Sequence, residues 1–177
     1  MPSIVYIATS IDGYIAKVDG GIDWLNEIPN PDGNDYGFGD FMNRIDGILM
    51  GRNTYEIVMD FEQWFYPKPV FVLSNTWTEL PGKWAHKAEL IKGETADGIL
   101  ATLHSKNIQT IYVDGGKTIQ TFLAADKIDE MIITRVPIVL GAGIPLFTQN
   151  LPELKYEHIS TETYHGGLVK SHYVRKR

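Results

Sequence analysis

At two places in the 177-residue chain, glycine and a cation stand where an apolar, strand-like run gives way to a helical pattern. In GILMGRNTYE the run ends at Gly51 and Arg52 occupies the joint; in TIYVDGGKTIQTFL it ends at Gly115-Gly116, and Lys117 and Thr118 open the next segment. Glycine lets a backbone approach a ligand closely, and a helix start offers unpaired N–H groups at the positive end of its dipole. Two such joints suit the phosphates of a dinucleotide. The alternative is that each turn needs glycine only for its geometry. Two tighter phosphate motifs fail: G-x-x-x-x-G-K-[ST] requires glycine where Ile111 stands, and G-x-G-x-x-G is absent at both joints. A nucleoside triphosphatase is disfavoured accordingly. A third interruption is SIDGYIA, residues 10–16, where Asp12-Gly13 breaks an otherwise continuous run; as a plain turn it needs no function.

The elements that must position these residues alternate. Runs rich in Val, Ile and Tyr at 4–9, 47–50, 70–74, 88–91, 110–113 and 130–136 read as strands. Helical spacing falls at 38–45, 53–60, 98–106 and 117–125, and the last puts Ile119, Phe122 and Leu123 on one inward face. This alternation predicts an α/β domain. At the C-terminus, LKYEHISTETY and LVKSHYVRK joined by HisGlyGly predict a long antiparallel hairpin, and residues 29–39 read as a loop.

Composition narrows the function classes. Hydrophobic residues at 44% and charged residues at 21% are those of a globular chain, and the length suits one domain over 1–177. With 22 acidic against 16 basic residues, a broad positive field for nucleic acid is not expected, so any phosphate must be held locally. The absence of cysteine excludes disulfides, thiolate metal sites and a cysteine nucleophile, and the five histidines form no close-spaced metal pattern, so no metal is expected. No apolar run approaches the ~18 residues of a membrane span, and MPSIVYIATSIDG lacks a leader pattern. The expectation is a cytoplasmic protein with a small-molecule substrate.

MGRNTYE, VDGGKTIQTFL, IITRVPIVLGAGIPLF and SIDGYIA together resemble the dihydrofolate reductase-like fold. The resemblance is strongest to the C-terminal reductase domain of the bacterial bifunctional riboflavin-biosynthesis enzyme. It implies a central mixed, mostly parallel sheet flanked by helices, with a C-terminal antiparallel hairpin. It also implies NADPH as cofactor, a homodimer, and hydride transfer to a small nitrogen heterocycle or its sugar adduct, above all 5-amino-6-(5-phosphoribosylamino)uracil. By the same resemblance Gly51, Arg52 and Thr54 lie against the cofactor phosphates, with Arg52 near the 2′-phosphate. Ser74 and Asn75 touch the adenosine ribose phosphate, and Gly115, Gly116, Lys117 and Thr118 cradle the pyrophosphate. The SIDG loop passes over the nicotinamide, with Gly13 letting the chain leave the sheet and Ala8 leaving room for the ring. The alternatives are a solvated helix start for Arg52 and turn formers for Ser74 and Asn75.

Hydride delivery to a carbon–nitrogen double bond is easier when the nitrogen is protonated, so a proton donor is wanted beside the ring. The resemblance puts a carboxylate at the start of the helix before the MGR strand. Asp35 matches that place and Asp40 shares the segment, while a helix cap is the alternative for Asp35. Tyr36 and Phe41 are candidates to line a flat pocket, or else core; Trp24 is expected to border the substrate and Trp64 to be a surface or dimer residue. DYGFGDFMNRID is richer in glycine and acid than a folate-binding helix, which sets dihydrofolate or another pteridine second as substrate. A deaminase half would need a Cys/His zinc site that a cysteine-free chain does not supply. From another class, a nucleotide-binding module without turnover remains open.

Overall fold

The structure is a computed structural model that describes residues 1–177. Its elements are β1 (Ser3–Thr9), β2 (Tyr14–Ala16), α1 (Asp23–Asn26), α2 (Phe38–Arg44), β3 (Gly47–Gly51), α3 (Arg52–Val58), β4 (Val70–Leu73) and β5 (Ala88–Ile91). There follow α4 (Ala96–Ser105), β6 (Ile111–Asp114), α5 (Gly116–Ala124), β7 (Glu130–Arg135), β8 (Ile144–Pro145), β9 (Tyr156–Tyr164) and β10 (Leu168–Arg175). Eight strands form one sheet in the order β5-β4-β3-β6-β1-β7-β10-β9. The first six run parallel, and the C-terminal hairpin adds β10 and β9 antiparallel at one edge.

Strand alternation divides the core into two layers. Val5, Leu49, Ile111 and Val113 face α4 and α5, where Ile99, Leu103, Ile119, Phe122 and Leu123 are buried. Ile4, Ile48, Met50 and Tyr112 face α2 and α3, where Phe41, Met42, Tyr55 and Val58 are buried. Helices cover both faces because parallel strands need crossovers, and each crossover returns over the sheet. The segment after β5 supplies β6, which fills the gap between β3 and β1, so the chain changes direction across the sheet at that point.

The hairpin turns at Gly166 and Gly167, whose φ values of 80° and 78° are left-handed and suit glycine. The strands and four longer helices expected from periodicity are present within a residue or two at most ends. Helix α1 and the small antiparallel pair β2–β8 were not expected, because two to four residues carry no readable period. Trp64 packs against Tyr66 and Trp84 at the margin of the α2–α3 layer.

Candidate active site

The parallel register brings the two glycine joints side by side. Met50 pairs with Asp114, so Gly51 and Gly115 end adjacent strands at the same level. A Cβ on Gly51 would stand 2.8 Å from Thr118 Oγ1, and a Cβ on Gly115, where φ is +91°, would collide with Thr54 Oγ1. The joints are therefore interlocked: each glycine receives the threonine of the opposite helix start. Thr118 is buried and Lys117 exposed. This places backbone N–H groups and a cation at the carboxyl ends of central parallel strands, where open α/β sheets bind ligands. N–H groups at the positive end of α5 and the Lys117 cation suit an anionic ligand.

Arg52 leaves the joint toward the end of β4. Its guanidinium lies 3.4 Å from both Asn53 Oδ1 and Thr76 Oγ1 and 3.6 Å from Glu56, contacts that leave it exposed. Thr76 in turn lies 3.3 Å from Ser74 Oγ, so Arg52, Ser74 and Thr76 form one polar group; Thr76 was missed in the sequence. Asn75 is engaged elsewhere. Its amide makes a closed pair of 3.0 Å bonds with the Gly93 backbone, pinning the loop after β5.

SIDGYIA is the chain's link to a second glycine loop. The Asp12 carboxylate accepts from Leu140 N at 3.1 Å and Gly141 N at 2.8 Å, which with the Ser10 hydroxyl holds it below the usual carboxylate range. Gly13 has φ +85°, its carbonyl accepts from Leu146 N, and β2 then pairs with β8. Ile15 and Ile144 close on Gly116, and Gln120 of α5 donates to the Pro145 carbonyl at 2.7 Å. The interruption thus lays two loops across the start of α5.

On the other flank Trp24 is 2% exposed and packs with Val136 and Leu168, with Ala8 and Tyr36 against them. Its Nε1 is buried with no acceptor in the protein. Tyr36 adopts a left-handed φ of 57°. Phe41 is core, stacked on Tyr6 at 4.7 Å. Asp40 is exposed and opens on a cleft of about 300 Å³ shared with Tyr6, Arg44, Glu162, Lys170 and His172.

Asp35 requires a correction. It is exposed, and its two oxygens accept from Gly39 N and Gly37 N at 2.9 Å each, so it caps the start of α2. Those bonds hold its pKa below the ordinary value. A carboxylate kept ionised by N–H donors is the opposite of a proton donor. The carboxyl group at the joints is that of Asp114, the last residue of β6. Half-buried near Tyr112 and Tyr66, it is pushed up to about 6 by burial, against the 2.8 Å bond from Gly115 N and the Tyr112 hydroxyl, which both favour its charge. Its signal in the sequence was its place, directly before Gly115-Gly116, read there only as backbone.

The RibD C-terminal domain model matches residues 3–170. A candidate riboflavin-biosynthesis protein from Shewanella sp. PV-4 is 49% identical, with a TM-score of 0.93 and full coverage of both chains. A Thermotoga maritima diaminohydroxyphosphoribosylaminopyrimidine deaminase/5-amino-6-(5-phosphoribosylamino)uracil reductase is 15% identical with a TM-score of 0.74; the match covers 99% of this chain and 56% of that one. Enterococcus faecalis dihydrofolate reductase, in complex with NADP(H) and RAB-propyl, is 16% identical with a TM-score of 0.67, covering 99% of this chain and 97% of that one. At these last identities the likeness shows the fold, which is dihydrofolate reductase-like.

Proposed function

We propose that this chain, which belongs to the RibD C-terminal domain family, is an NADPH-dependent reductase of a ribosylaminopyrimidine such as 5-amino-6-(5-phosphoribosylamino)uracil. The observation that carries the reading is the interlocked pair of joints, Gly51 on Thr118 and Gly115 on Thr54, with the raised acid Asp114 at their edge. NADPH, when bound, supplies the hydride. Gly116, Lys117 and Thr118 hold the pyrophosphate by backbone N–H groups and one cation, and Gly115, whose own N–H goes to Asp114, lets the chain turn there. Arg52, Ser74 and Thr76 hold the 2′-phosphate, which a guanidinium recognises as a charge-assisted hydrogen bond.

Tyr36, half-buried, forms the apolar wall against which the pyrimidine ring lies, and the cluster of buried Trp24, Val136 and Leu168 backs it. Asp114 holds a proton on its carboxyl at mildly acidic pH and passes it to the basic atom of the substrate. Dihydrofolate is disfavoured because the carboxylate in the helix position is committed to Gly37 and Gly39. A homodimer belongs to this reading, and the apolar outer surface of β7 and β10 around Met131, Ile133, Val169 and Tyr173 suits it. No helix is long and apolar enough to cross a membrane.

Titrating NADPH by fluorescence and then following its oxidation with the ribosylaminopyrimidine and with dihydrofolate tests the proposal. Saturable binding with turnover of the pyrimidine alone is expected. Absence of NADPH binding, or turnover of dihydrofolate only, overturns it; binding without turnover of either leaves a nucleotide-binding module.

A further inference from the structure

The turn that leads into α2 is held at one atom. The Tyr36 carbonyl lies 2.7 Å from Tyr6 Oη, 2.9 Å from Lys170 Nζ and 3.4 Å from Tyr164 Oη, so donors from β1, β10 and β9 converge on it. Tyr164 Oη is only 2.5 Å from Glu162 Oε2, so its proton goes there. The two lone pairs of the carbonyl then belong to Tyr6 and Lys170. Lys170 is itself a built anchor: its side chain is 12% exposed, Glu162 Oε2 is 3.3 Å away and the Tyr164 ring lies 5.1 Å from its Nζ. A mostly buried ammonium is costly unless paired, and here the carbonyl, the carboxylate and the ring pair it.

That anchor holds a conformation the chain does not favour. Tyr36 has φ 57° and Gly37 φ 86°, two consecutive left-handed residues. A non-glycine residue there persists only where its surroundings over-determine it. A Cβ at Gly37 would meet Lys170 Nζ at 3.1 Å, so the lysine fills the space under the turn. The turn decides where the Tyr36 ring goes. It lies edge-on to Tyr164 at 5.1 Å and packs on the cluster of Trp24, Val136 and Leu168, as Ala8 of β1 also does. None of these contacts includes Gly51, Gly115 or their threonines.

We infer that Lys170, acting with Tyr6 through the Tyr36 carbonyl, is a positioning residue for substrate recognition that sets the Tyr36 ring on the Trp24 cluster independently of the nucleotide joints. The word substrate rests on the reductase reading above; the anchor itself does not. Lys170→Met keeps the stem and removes the donor, Lys170→Arg keeps a charged donor, and Tyr6→Phe removes the other bond without burying or unpairing a charge.

Native-state hydrogen exchange of the Gly37, Gly39 and Phe41 amides reads the anchor directly, with no ligand present. Both Lys170→Met and Tyr6→Phe are expected to speed that exchange by about tenfold or more, the scale of one lost hydrogen bond to a charged or buried partner. In Lys170→Met the KM for the ribosylaminopyrimidine rises by about tenfold on the same scale, the NADPH Kd is unchanged, and Lys170→Arg recovers most of the loss. Unchanged exchange in either soluble variant overturns the inference, and so does an NADPH Kd that weakens as much as KM. If Lys170→Met does not fold, Tyr6→Phe decides by the same measurements. Failure of the unmodified protein to reduce the pyrimidine removes the reductase reading, and exchange still decides the anchor.

Discussion

At the nucleotide end Gly51 packs on Thr118 and Gly115 on Thr54, backbone against short side chains on neighbouring strands. At the wall end, side chains from β1 and β10 close on one carbonyl across sequence separations of 30 and 134 residues. The first region gains its shape from atoms that are missing, since a Cβ on either glycine would collide with the opposite threonine. The second gains it from long side chains meeting at one point. A backbone-built site tolerates no added atom, whereas a side-chain-built site loses function one donor at a time, and variants separate the two.

The largest effect is expected beside the joints, at Asp114. Asp114→Asn lowers kcat by about 10²–10⁴-fold, the usual worth of a positioned acid, with the NADPH Kd unchanged by fluorescence titration. Its pKa, raised from 3.8 to about 6, also sets a pH signature. The native state binds this proton more tightly than the unfolded chain. The stability it contributes is full below pH 3.8 and is lost as pH rises to about 6. Thermal melts should therefore show Asp114→Asn gaining on the unmodified protein between those limits and level above them. Turnover of the unmodified protein should decline above about pH 6.

Next comes Gly115→Ala, which adds a left-handed alanine and a clash with Thr54; a stability loss of about 2–4 kcal/mol follows from strain and overpacking together. Denaturant melts measure it, and NADPH binding should be lost at the same time. Intact NADPH affinity in this variant would dissolve the contrast between the two regions. A smaller change is expected from Arg52→Met: about a tenfold loss of affinity for NADPH and none for NADH, read by parallel titrations. Equal loss for both would remove the 2′-phosphate from this group.

The smallest is Asp35→Ala, a cap removed from the start of α2. The melting temperature drops slightly, and because the bonds lower this pKa the drop is present at neutral pH and vanishes as pH falls through the folded value. A loss of kcat comparable to that of Asp114→Asn would restore Asp35 as the acid.

Strands β1, β3, β4, β6 and β7 were legible because each is a short β-branched run bounded by a turn signal, and α5 because Ile119, Phe122 and Leu123 recur at helical spacing. The nucleotide joints were legible for a related reason: a glycine at a strand end reports on its own backbone. What stayed illegible is which partner a side chain takes. Asp35 reads equally as a cap or an acid, and its partners Gly37 and Gly39 are near neighbours whose N–H groups only the folded turn aims at it. Asp12 reads as a turn former bonding locally, yet its partners are Leu140 and Gly141.

The amino-acid sequence by itself determined the alternation of strands and helices, the C-terminal hairpin and the two glycine joints, because periodicity and φ preference are properties of neighbouring residues. Only the tertiary structure decided that the joints interlock, that Asp114 is the raised acid and that Lys170 meets the Tyr36 carbonyl. Burial and hydrogen-bond geometry depend on residues that the sheet order β3-β6-β1-β7-β10 brings together from distant parts of the chain.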